Sequence, residues 1–150
     1  MICQAAIDLI KRFEGCQLQS YPDVGGVWTI GYGHTGPDVT PDTVWTQEEA
    51  DNQLNQQLEF FEAGVRKLIN ATIDKTNENQ LGALVSFTYN VGLGNLSQSS
   101  LLKYHNLGLF KAVCGEFAKW NHVAGQVVPG LTSRRYSEAS LYATPSSVII

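Results

Sequence analysis

No stretch of this 150-residue chain approaches the roughly 20 consecutive apolar residues that a membrane-spanning helix requires, which argues against stable membrane insertion. The opening run MICQAAIDLIKRFEG has neither a basic n-region nor a small-residue cleavage site. It is read as the first turns of a helix, and no signal peptide is expected. Basic charge is also in short supply. Ten Lys and Arg against fourteen Asp and Glu leave a net charge of -4, which argues against a general nucleic-acid binder with its basic face. A polyanionic ligand would have to find local basic pairs, Lys11 with Arg12 or Arg134 with Arg135. Cysteine is sparse and odd in number. Cys3, Cys16 and Cys114 fit no zinc-ligand spacing and are expected as reduced thiols, with a disulfide at Cys16, two residues from Glu14, as the alternative. HExxH and similar ligand clusters are missing, so neither a metal nor a cofactor is expected. There is no internal repeat and no low-complexity segment.

What the chain does contain is a globular balance, 43% hydrophobic against 16% charged, at the size of one domain covering residues 1–150. Ile2, Ala6, Leu9, Ile10 and Phe13 recur at helical spacing, and Gly15 is placed to end that helix at Glu14. From Cys16 to Gly36 the vocabulary changes to turns and strands: YPD, VGG and GYG around Val27, Trp28, Thr29, Ile30 and Tyr32. Thr46 and Glu49 read as a capping box opening a long helix over about 47–70, with Ala50, Leu54, Leu58, Phe61, Val65 and Leu68 on one face. Asn77 starts the next helix, which Gly92 and Gly94 break. Short helices are expected at about 99–106 and 109–121, a loop or weak hairpin at 123–129, and a last helix at about 131–142. The fold class is therefore α+β, with a small N-terminal antiparallel sheet lobe at about 15–45. A larger helical lobe takes 1–14 and about 70–150, and the long helix joins the two.

The segment FEGCQLQSYPDVGGVWTIGYGHTG, residues 13–36, carries the chemistry. Glu14 is followed by Asp23 and then Thr29: two carboxyl groups and a hydroxyl. Glycoside hydrolysis needs a proton donor at the leaving oxygen and, in inverting enzymes, a second group that activates water on the opposite face of the sugar. Glu14 lies at a helix C-terminus, where the dipole disfavours negative charge, and beside Phe13, so the setting suits a donor. Asp23 sits in a turn after Pro22, and the Thr29 hydroxyl can hold a water against it. Singly, each has a plainer reading as a surface or turn residue; the joint spacing is the argument.

That segment resembles the phage-type lysozymes of glycoside hydrolase family 24, whose signature is Glu, eight residues, Asp or Cys, five residues, Thr. Glu14, Asp23 and Thr29 match without a gap. ENQLGALVSFTYNVG at 78–92 and VVPGLTSRRYSEASLY at 127–142 extend the likeness over nearly the whole chain. The resemblance implies a lysozyme-like fold and a muramidase that cuts the β-1,4 bond between N-acetylmuramic acid and N-acetylglucosamine in peptidoglycan. It implies inversion of configuration, with Glu14 as acid and Asp23 and Thr29 positioning water; in some relatives the Asp counterpart acts as stabiliser or nucleophile. The resemblance also places Tyr89 and Asn90 along the cleft as substrate-binding residues, with a place in the helix core the plain alternative for Tyr89, and Thr35 is a further candidate. It suggests that Arg134 or Arg135 pairs with Glu14, while an i,i+4 link from Arg134 to Glu138 is the plain alternative. His34 is expected in a structural role, paired with a carboxylate such as Asp74 or Asp51, or else touching sugar. His105 and His122 have no partner spacing and receive no role. The sequons at Asn70 and Asn95 are read as chance.

These expectations add up to a monomeric endolysin acting on bacterial peptidoglycan. It would be held in the cytoplasm of the bacterial host and reach the periplasm or wall through a holin-like permeabilising protein. A catalytically inactive wall-binding module and a chitin-type hydrolase are the alternatives.

Overall fold

The computed structural model describes residues 1–150. Helix α1, Gln4–Glu14, buries Ala6, Ile7, Leu9 and Ile10 on one face. It ends because Gly15 takes φ +67° while its N–H still reaches Lys11 O at 3.0 Å. The chain then forms a three-stranded antiparallel sheet in the order β1 (Gln17–Pro22), β2 (Trp28–Gly31), β3 (His34–Thr35). Asp23 N–H donating to Val27 O and Gly26 N–H donating to Asp23 O close the first turn.

Helix α2, Gln47–Leu68, runs 22 residues and buries Ala50, Leu54, Leu58 and Val65 at the spacing of one face. Its start is half a capping box. Thr46 Oγ1 accepts from Glu49 N–H at 3.1 Å, but the Glu49 carboxylate takes the Thr46 hydroxyl, not its N–H. The full reciprocal box is at α3, Glu78–Val91, where the Asn77 and Gln80 side chains each bind the other's N–H. Every residue of α3 from Gln80 to Thr88 is buried, as befits a helix that is apolar almost all round and packed by α1, α2 and the last helix.

The remaining helices differ from the sequence reading in detail. Gly92 stops α3 at φ +92°, yet Gly94 lies inside a short helix α4, Leu93–Gln98, anchored by fully buried Leu96. Helix α5 is Ser100–Asn106, and α6, Phe110–Phe117, stops earlier than expected. Strands β4 (His122–Val123) and β5 (Gln126–Val127) form a small exposed hairpin. Helix α7, Pro129–Ala143, starts two residues early, because Pro129 fits the first helical turn, where no N–H is needed. The tail is tied down: Ile149 bridges Asn77, and Ile150 N–H donates to Thr76 O at 3.0 Å. No helix is long and apolar enough to cross a membrane. Cys3, Cys16 and Cys114 are free thiols.

Candidate active site

Ending α1 at Glu14 delivers its carboxyl to a cleft of about 300 Å³ between the sheet and the helices. Gly33, His34 and Thr35 line the sheet side, Gln57 and Phe61 come from α2, and Tyr89 and Asn90 from α3. Gly33 has two reasons to be glycine. Its φ is +86°, and a Cβ there would lie 3.1 Å from Glu14 Oε2. Beyond Asn90 a second groove, over Asn95, Trp120, His122 and Leu131, continues across the helical side, so the concavity suits an extended ligand.

Behind Glu14 is a buried charge network. Arg134 Nη1 donates to Glu14 Oε1 at 2.6 Å, Nη2 to Ser86 O at 3.0 Å, and Nε to Glu138 Oε2 at 3.2 Å. Of the two arginines Arg134 therefore meets Glu14, and the i,i+4 link to Glu138 coexists with that contact. Arg135 turns away. Its Nη2 reaches Glu138 Oε2 at 3.2 Å, and its guanidinium lies 5.0 Å from the Phe87 ring centre. Burial pushes the Glu138 carboxyl up from its ordinary value, and Arg135, Arg134 and Ser86 pull against it; burial likewise lowers Arg135.

On the hairpin the geometry is different. Asp23 is exposed, and its Oδ1 accepts from Gly25 N–H (2.9 Å) and Val27 N–H (2.8 Å), leaving Oδ2 without a protein partner. Thr29 is buried, and its hydroxyl donates to Val27 O at 2.8 Å, so its oxygen keeps only acceptor capacity. The register places Thr29 opposite Thr35, and opposed residues share a sheet face, so Thr29 faces the side on which Thr35 lines the cleft. Asp23 and Thr29 do not themselves line the cleft about Glu14; Thr29 stands on β2 beside it, and Asp23 in the turn between β1 and β2.

Three readings need amendment. His34 pairs with Asp38, its Nε2 lying 3.1 and 3.2 Å from the two carboxylate oxygens, and stacks on Trp45 with ring centres 5.3 Å apart. Neither Asp74 nor Asp51 is its partner. Asp51 is occupied by Tyr32, Gln47 and Lys11, while the loop after β3 folds Asp38 back to the ring four residues before it. Tyr89 does line the cleft, but its hydroxyl donates to Tyr32 O at 2.6 Å, strapping α3 to the backbone beside Gly33. Burial and the nearby Glu14 charge push its phenol well above the ordinary range, which keeps it a donor. His105, given no role, is buried between Thr76 Oγ1 and the Tyr142 hydroxyl. Asn90 is exposed and its side chain has no hydrogen-bond partner in the protein, so its amide is free for a ligand. Gln57 carries no signal in the sequence that marks it as a cleft residue, and the spacing of Phe61 marks it only as core. Period-3.6 patterning assigns Phe61 to a buried stripe and cannot reveal that the stripe ends at a cleft.

The phage lysozyme family model matches residues 11–138. Among curated proteins, the chain is 44% identical to an endolysin of Bacillus phage PZA over 98% of its length and 57% of that protein. It is 45% identical to an endolysin of Bacillus phage B103, covering 97% of the chain and 55% of the relative. The chain thus spans little more than half the length of these relatives. Among solved structures, the muramidase domain of SpmX from Asticaccaulis excentricus superposes with a TM-score of 0.87 at 35% identity, covering 97% of this chain and 99% of that one. An endolysin from Escherichia coli O157:H7 phage FAHEc1 gives 0.85 at 35% identity, covering 95% and 93%.

Proposed function

The chain belongs to the phage lysozyme family, and on that premise we propose that it hydrolyses the β-1,4 bond between N-acetylmuramic acid and N-acetylglucosamine in bacterial peptidoglycan, as an endolysin. The observation that carries this reading is the Glu14 carboxyl. It stands in an open cleft that meets a second groove at Asn90, and it is fixed from behind by a buried arginine.

Glu14 gives its proton to the leaving glycosidic oxygen as the bond to the anomeric carbon breaks. Arg134 Nη1 then stabilises the carboxylate that remains. The attacking water is held from the hairpin. Because the Thr29 hydroxyl is already donated to Val27 O, Thr29 can only accept from the water, and Asp23 Oδ2 is likewise an acceptor. A water donating to both has its lone pair left for the anomeric carbon; the C–O bond forms as one water proton passes to Asp23. The free Asn90 amide suits an N-acetyl group, and Thr35 a sugar hydroxyl. Entry to the wall through a separate membrane-permeabilising protein, and action as a monomer, belong to the same proposal.

Isolated peptidoglycan incubated with the protein should gain reducing ends, and with Glu14→Gln it should not. If both are silent yet both sediment with the wall, the chain is a binding module. If the new reducing end is N-acetylglucosamine, the bond specificity is wrong.

A further inference from the structure

We infer that Glu138, which has no access to the cleft, is a positioning residue for the proton donor: it holds the Arg134 guanidinium against Glu14 and cancels one of the two cationic charges buried behind it. The inference rests on the reading of Glu14 as the acid.

Glu138 is fully buried. Its Oε2 accepts from Ser86 Oγ at 2.6 Å, Arg134 Nε at 3.2 Å and Arg135 Nη2 at 3.2 Å. Its Oε1 lies 2.7 Å from Arg135 Nε, within ion-pair range though off the hydrogen-bond direction. Arg134 is consequently gripped on three sides, by Glu138, by the Ser86 carbonyl and by Glu14. A planar guanidinium so fixed cannot swing away from the carboxyl it serves.

With Glu14 ionised the charges around it balance as two and two, Glu14 and Glu138 against Arg134 and Arg135; with Glu14 protonated one cation is in surplus. The other elements add little to that balance. Helix α3 presents Ser86 and the neutral Tyr89, α2 presents Gln57 and Phe61, and β3 presents His34, which is held by Asp38. Arg12 of α1 is directed to Ser137. Without the Glu138 charge, Glu14 would face two uncompensated guanidinium groups in a water-poor interior, where such fields act strongly. The ionised form would be favoured, and the donor would lose its proton at lower pH. With Arg135 neutralised instead, the surplus reverses.

The test is the pH dependence of kcat/KM on peptidoglycan for wild type, Glu138→Gln, Arg135→Met and the double variant. In Glu138→Gln the alkaline limb, where the protonated donor is lost, should move down by on the order of one pH unit. In Arg135→Met it should move up, and the double variant should return it to the wild-type position. The limb's position does not depend on how much enzyme is folded, so a low yield of Glu138→Gln leaves the reading intact. If that variant does not fold at all, Arg135→Met and the double variant decide. Limbs that all coincide with wild type reduce Glu138 to a packing role and overturn the inference. A wild type inactive on peptidoglycan overturns the parent reading of Glu14 instead.

Discussion

The back wall of the cleft and the β1–β2 hairpin secure their carboxylates by opposite means. Glu14 is held by Arg134, 120 residues later in the chain, and through it by Ser86 and Glu138, all of them buried. Asp23 is held by the N–H groups of Gly25 and Val27, two and four residues away, and is exposed. The first arrangement exists only once α1, α3 and α7 have packed. The second comes with its own turn. The proposed mechanism asks for this division: its proton donor profits from a fixed surrounding, and the group that recruits water must meet solvent. On the proposed mechanism the back wall serves stability and chemistry together, and the hairpin serves chemistry at small structural cost.

The sharpest test of that division is on activity. Glu14→Gln should lower turnover of peptidoglycan by about 10²–10⁴-fold, the range for loss of a general acid. Asp23→Asn keeps the Oδ1 acceptor that closes the turn, so it should lose activity while its stability in urea stays within about 0.5 kcal/mol of wild type. If Asp23→Cys retains activity, the residue acts as stabiliser more than as base.

Breaking the back wall should instead unfold the protein. Arg134→Met leaves Glu138 with one cation in place of two, and Glu14 without its direct ion-pair partner. A loss of about 3–5 kcal/mol in the urea midpoint analysis is expected for opening a buried ion network. A loss under about 1 kcal/mol would mean that the back wall bears no more load than the hairpin.

Acid should sort the two regions as well. His105, buried among the helices, is driven down to about 4 by desolvation, against 6.5 for an exposed imidazole. The unfolded chain binds this proton more readily, so the stabilisation is complete above about pH 6.5. It falls as pH drops toward 4, by about 3 kcal/mol in all. Tm measured from pH 7 to 4 should show this slope, and His105→Gln should flatten it. Hydrogen exchange should place the early acid opening in α5 and the tail bound to Thr76, not in the hairpin.

The smallest effect belongs to the strap between the two regions. Tyr89→Phe removes the hydroxyl that binds Tyr32 O and leaves that carbonyl without its partner, at a cost of about 1 kcal/mol. If Tyr89 served only to stack on sugar, Phe would be nearly silent in stability, and a melt distinguishes the two.

Much of this was legible in the chain because its causes are local. Apolar spacing and Gly15 bring α1 to an end at Glu14, and the Thr46 and Asn77 caps mark the two long helices. What escaped was set by distant partners. Gly92 and Gly94 read as a break, yet Leu96 fills a core position and turns that stretch into α4. For His34 the sequence offered several carboxylates, and the path of the loop after β3 selected Asp38. Glu138 showed itself only as a helical neighbour of Arg134. That it also binds Ser86 and Arg135 depends on α3 lying against α7.

By itself the amino-acid order determined the α+β layout and the spacing of Glu14, Asp23 and Thr29 within one segment, because helix ends, turns and side-chain periodicity follow from residues a few positions apart. Only the tertiary structure decided which arginine meets Glu14, how the buried charges balance and which side chains face the cleft. Those outcomes depend on helices remote in sequence coming together, where burial makes each unpaired charge costly enough to dictate its partner.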